Sequence, residues 1–132
     1  MKTYKLIILM CSFYFLFSCS KEKEVKILGY AYNNDRIIVS IEGNVLFDKS
    51  IYGTIDKENL CSFYEPKIKI SSSDIQVNFK IDSSGVSVLD TVITISSKIK
   101  APFVSFIHPS KKSKHKRKIF LGDDNDERFF KD

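Results

Sequence analysis

Past residue 24 the apolar residues of this 132-residue chain recur with period two rather than 3.6. Turn-forming Asn, Asp, Ser and Gly clusters break that pattern every few residues, and helix signals are nearly absent: 56–60 (DKENL) would support one helical turn at most. Seven or eight short strands within about 85 residues predict an all-β chain, folded as an antiparallel β-sandwich of immunoglobulin-like type. A small β-barrel is the alternative. The prediction rests on strand number and period alone, because the chain has no Trp and no Cys pair bracketing one.

Taken in order, residues 25–32 form the first strand by composition, closed by Asn33-Asn34-Asp35. Residues 36–42 (RIIVSIE) and 45–50 (VLFDKS) flank Gly43-Asn44, a two-residue loop suited to a type I′ or II′ hairpin. Residues 67–71 (KIKIS) alternate cleanly after Pro66. Ile75, Val77, Phe79 and Ile81 alternate with Gln76, Asn78, Lys80 and Asp82, which is the signature of a half-buried strand. The turn cluster Asp82-Ser83-Ser84-Gly85 then pairs 74–82 with 86–96 as a second hairpin. Val86 and Val88 share one parity while Leu89, Thr91, Ile93 and Ile95 share the other, so a bulge is expected near Val88-Leu89. A further strand covers 102–107, with Pro102 at its start, where a missing N–H is tolerated. Beyond it, residues 108–132 combine a basic loop with an acidic-tipped hairpin or tail.

The first 18 residues have a different logic. Lys2 and Lys5 precede an uncharged run over 6–17 (LIILMCSFYFLF), and Ser18-Cys19-Ser20 leads into Lys21-Glu22-Lys23-Glu24. A cationic start, a short apolar segment and a small residue before a cut are the marks of a secretory signal peptide. Twelve residues of helix span about 18 Å, whereas the hydrocarbon core is about 30 Å thick. Leu16-Phe17-Ser18-Cys19 resembles the lipobox of bacterial lipoproteins. The resemblance implies that residues 1–18 are removed and that Cys19 becomes the first residue, with a diacylglyceryl group on its thiol and often an acyl chain on its amine. Several chains anchor stably where a single one binds reversibly. Residues 19–24 are then the lipidated cysteine and a solvated tether, and residues 25–107 the sandwich.

With Lys2 and Lys5 gone, 19 basic side chains face 16 acidic ones, a net of +3, which is not a nucleic-acid-binding balance. Cys11 leaves with the leader and Cys19 carries lipid, so Cys61 stays alone and no intramolecular disulfide is available. Cys61 itself reads as a small buried hydrophobe. The run 110–118 (SKKSKHKRK) holds Lys111, Lys112, Lys114, Lys116, Arg117 and Lys118, candidate contacts to an anionic lipid or polysaccharide surface or else a solvated loop. It has no interleaved aromatics for base stacking, and nucleic acid is not an expected partner.

Asp123, Asp124, Asp126 and Glu127 do not follow the spacing of a helix–loop–helix calcium site and read as a charged hairpin tip. His108 and His115 lack neighbours at zinc-ligand spacing, so no metal or other cofactor is expected. The chain has no nucleophile elbow, phosphate loop or dinucleotide loop, and Asp56 and Glu58 fall in a polar turn, so an enzyme is not expected. Tyr30, Tyr32, Tyr52, Phe63 and Tyr64 fall near strand ends or in loops, where they could stack on a sugar or peptide or pack inward.

These readings converge on a lipoprotein of the bacterial cell envelope, at the outer membrane. Its partners would be the membrane, through the lipid, and an envelope protein or glycan. An inhibitor or immunity-type lipoprotein, with residues 108–118 as the inserted loop, and passive contact of the basic run with anionic lipid are the alternatives.

Overall fold

Alternating apolar and polar side chains build eight strands: β1 (Glu22–Tyr32), β2 (Arg36–Ile41), β3 (Asn44–Ser50), β4 (Leu60–Ser71), β5 (Ile75–Ser83), β6 (Val86–Ile95), β7 (Pro102–Phe106) and β8 (Ile119–Asp123). The computed structural model describes residues 21–53, 59–109 and 116–126, with no helix among them. The short helical turn expected at 56–60 lies largely outside the described residues.

The strands form two four-stranded sheets, β4-β1-β7-β8 and β3-β2-β5-β6. The sheets pack face to face as the β-sandwich predicted from period and strand number, not as one closed barrel. All pairings are antiparallel except β1 with β7, which run parallel from Lys26↔Phe103 to Gly29↔Phe106.

The core is the seam between the inner faces. Ile27, Val104 and Phe106 of the first sheet meet Ile37, Val39, Phe79 and Ile81 of the second, all essentially without solvent exposure. Phe79 and Phe106 touch edge-on across the seam at 6.3 Å, and Phe63 tilts against Phe106 at 5.4 Å. Each such side chain contributes about 1.5–3 kcal/mol of burial. Cys61 is fully buried in the same cluster, in the apolar role its neighbours suggested.

Turns and bulges set the registers. The β2–β3 loop is Glu42-Gly43, both at positive φ (49° and 81°), the backbone a type I′ turn demands. This is one residue earlier than the Gly43-Asn44 expected. Without a bulge, a Gly43-Asn44 loop would set Asp48 opposite the buried Val39 and turn a carboxylate inward. The observed loop, with Leu46 as an extra residue, sets Phe47 there instead. In the β5–β6 hairpin Ile81 pairs Leu89 and Asp82 pairs Ser87, which leaves Val88 as the extra residue, where the change of phase predicted a bulge.

Three boundaries differ from expectation. β4 starts at Leu60, not residue 67, because Pro66 falls where the register shifts (Val25↔Ile68, Ile27↔Glu65) on an edge strand, a position that tolerates a missing N–H. β1 starts at Glu22, so residues 22–24 pair with Ser71, Ile70 and Lys69 instead of serving as tether. At the other end β8 pairs with β7, which carries the domain past residue 107.

The crossover from β6 to β7 has no ladder of its own, so side chains satisfy it. Lys23 Nζ donates to the carbonyls of Ser96 (2.7 Å) and Ile99 (3.1 Å). Asp74 accepts the Ser97 N–H at 2.6 Å, and Asp123 accepts the N–H groups of Lys100 and Ala101.

The most constrained backbone position is Gly29, at φ 132° against β7. A Cβ there would stand 2.2 Å from the Phe106 carbonyl oxygen. Gly29→Ala should therefore cost about 3 kcal/mol or more in chemical denaturation, whereas Gly43→Ala, with open space around it, should cost about 1 kcal/mol.

Acid stability follows from the crossover. The Ser97 backbone N–H, and then its hydroxyl, hold the Asp74 carboxyl below its ordinary pKa. A depressed folded-state pKa gives stability that is complete above the ordinary value, about 4, and is lost as pH falls through the folded value. Thermal melts of Asp74→Asn should show a shallower loss of Tm between about pH 5 and pH 2 than the parent chain.

Candidate interaction face

The outer faces of the two sheets differ in chemistry. On the second sheet polar groups pair: Arg36 grips Asp48 bidentately at 2.6 and 2.5 Å, Lys80 meets Asp82 at 3.2 Å, and Asn78 donates to Asp90 at 2.8 Å, with the aliphatic Val45 and Val92 exposed among them. The Asp48 hydrogen bond raises the Arg36 pKa, and the same contact lowers that of Asp48.

The first sheet turns apolar groups outward. One row of cross-strand neighbours runs Tyr64, Leu28, Ser105, Phe120 over all four strands. Tyr64 is 59% exposed, Tyr30 44% and Phe120 41%. Beyond the end of β7, Ile107 is exposed as well, and the His108 ring meets Tyr30 edge-on at 5.0 Å. A shallow depression of about 350 Å³ opens between β1 and β4, lined by Leu28, Gly29, Tyr30, Ser62, Phe63 and Tyr64. Lys26 sits on the same face in an ion pair with Asp124, whose hydrogen bond raises the lysine pKa.

This face continues to the pole where β1 ends, about 33 Å from Glu22 at the usual rise per residue. That pole is held by a buried ion pair. Asp35 (1% exposed) accepts the Tyr32 N–H at 2.9 Å and receives Arg117 Nη2 at 2.8 Å. The Arg117 guanidinium lies 4.4 Å over the Tyr32 ring. Asp35 also accepts the Ile51 N–H on its backbone carbonyl, so one residue joins the β1–β2 turn, the end of β3 and the segment before β8. Asp35 Oδ1 and Arg117 Nε and Nη1 have no hydrogen-bond partner among the described residues.

The residues singled out in the sequence therefore separate. Arg117, expected at an anionic surface, is 8% exposed and occupied by Asp35 and Tyr32, so it is removed from the surface set. The cause is a buried carboxylate 82 positions away, which the local KHKRK pattern cannot reveal. Lys116 and Lys118 are exposed at the same pole, while Lys111, Lys112, Lys114 and His115 lie outside the described residues, as does Cys19. Asp123 and Asp124 are used in hydrogen bonds and an ion pair within the fold, and Glu127 lies outside the described residues. Of the aromatics, Tyr30 and Tyr64 share the outer face, Phe63 packs inward on Phe106, Tyr32 carries Arg117, and Tyr52 stands 70% exposed in the β3–β4 connection. Leu28 and Phe120 were not singled out. Their signal was available: each continues an outward parity set beside Tyr30 and Ser105.

These observations define a β-sandwich whose first outer face is aromatic and whose second mixes paired polar groups with the exposed aliphatic side chains Val45 and Val92. No protein-family model matches the chain, and no curated protein matches it either.

The buried pair yields a quantitative expectation. Arg117→Met strands the Asp35 carboxylate and should cost about 3–5 kcal/mol in urea unfolding. Asp35→Asn combined with Arg117→Met should cost less than the sum of the two single changes, because neither then leaves a buried charge.

Proposed function

We propose that this chain is a lipid-anchored, non-enzymatic interaction module of the bacterial cell envelope, moored through Cys19 at the outer membrane. It would recognise a protein or glycan with the outer face of its first sheet. The observation that carries the reading is the aromatic character of the first outer face: it presents Tyr30, Tyr64 and Phe120 to solvent beside half-buried Leu28, whereas the exposed apolar groups of the second sheet are the aliphatic Val45, Leu46, Val86 and Val92. Aromatic residues with a polar tip are favoured where a surface must be wet when free and buried when bound.

Two further observations support it. The anchor would join the domain at the Glu22 end of β1, and the face with its depression extends to the opposite end, away from the bilayer. Exposed Lys116 and Lys118 stand at that far pole, which favours steering of a partner over contact with the anchoring membrane. No specific observation favours the inhibitor or the passive lipid-binding alternative.

Capture of envelope components on the full-length chain tests the proposal. Tyr30→Ser/Tyr64→Ser/Phe120→Ser should lose a component that the parent retains. Val45→Ser/Val86→Ser, which alters exposed apolar residues of the second sheet, should keep it. Identical captured sets for both variants would contradict the assignment to this face.

A further inference from the structure

An edge strand offers unpaired N–H and C=O groups to any strand that can align with it, and folded chains protect such edges with charge, Pro, bulges or brevity. Three of the four edges here are protected. β4 carries Pro66 and a register shift next to Glu65. β3 has its extra residue at Leu46, followed by Asp48 and Lys49. β8 has five residues and ends at Asp123.

The fourth edge, β6, lacks these devices over most of its length. From Leu89 to Ile95 it runs without bulge, Pro or Gly, and Thr and β-branched apolar residues dominate it. Its single charge, Asp90, lies on the outer face of the sheet, where Asn78 of β5 holds it. No other described strand pairs with β6.

The direction of the free groups follows from one contact. The Thr91 carbonyl is turned towards β5, where it accepts the Asn78 side-chain N–H at 3.4 Å. Backbone groups alternate in direction along an antiparallel strand, so Asp90, Val92 and Thr94 direct their N–H and C=O groups to the open edge.

We infer that β6 is a homotypic strand-pairing edge, on which two copies of this chain align antiparallel about a twofold axis at Val92 and merge their second sheets into one of eight strands. The sequence is self-complementary in that register. Val92 meets Val92 of the other copy, Asp90 meets Thr94, Thr91 meets Ile93, and Leu89 meets Ile95. No like charges face one another, and inward residues meet inward residues. Val92, 56% exposed, and the half-buried Leu89 and Ile93 gain apolar neighbours. The pairs at 90, 92 and 94 are those whose backbone groups are free, so the register uses hydrogen-bonding capacity the monomer leaves open.

The test uses the full-length chain in mild detergent. The twofold brings the two Val92 Cα atoms to about 5.5 Å and holds the two Asp90 Cα atoms about 14 Å apart. Val92→Cys should be captured as a covalent dimer by a short bismaleimide, while Asp90→Cys and the parent chain, with its own cysteines, should not. Val92→Lys, a change at an exposed outer position, should abolish the dimer in sedimentation equilibrium and leave the thermal melt of the fold in place. A chain of monomer mass at every loading concentration would overturn the inference and leave the edge to a foreign strand or to none. Equal cross-linking of Val92→Cys and Asp90→Cys would overturn the register.

Discussion

Every other feature of this molecule depends on the contact between the inner faces of its two sheets. Cys61 is buried and unpaired, so no disulfide constrains the described residues, and the fold is held by apolar packing along the seam where Phe79 meets Phe106. The Leu46 bulge serves that seam, because it sets Phe47 and not a carboxylate opposite the buried Val39. Gly29 answers to a contact within the first sheet, where it lies against the Phe106 backbone of the neighbouring strand β7. Residues that look incidental in the sequence are thus fixed by how closely strands and sheets approach.

Polar groups have a second organising role at the two ends. Near the start of β1, Lys23, Asp74 and Asp123 hold the crossover from β6 to β7 with hydrogen bonds to backbone groups. At the far end Asp35 and Arg117 do comparable work inside the protein, with Tyr32 supplying an aromatic face to the cation. The proposed function uses this geometry, with the lipid at one pole and the aromatic face reaching the other.

Much of the architecture was legible because it follows from period. The strand 75–83, its hairpin partner and even the bulge at Val88 could be read from side-chain alternation and a single change of phase. Where local rules competed, the reading failed. Pro66 concealed the first half of β4, since nothing in the sequence says that the strand lies on an edge. Alternating charges over 21–24 resembled a solvated tether, although Lys23 turns inward to cap the crossover. Arg117 was hidden by its five neighbouring cations, because burial of one charge in a basic run depends on a distant carboxylate. The aromatic face was half legible: Tyr30 and Tyr64 stood out by type, but only the register sets them in one row with Leu28 and Phe120.

The account depends most on the sandwich being tied to a bilayer at its Glu22 end, since that gives the exposed face its outward direction. Intact-mass spectrometry of the chain isolated from its native host measures this directly. The mass should correspond to residues 19–132 plus a diacylglyceryl group and any amide-linked acyl chain on Cys19. A mass that retains residues 1–18, or one that shows Cys19 with a free thiol, would contradict it.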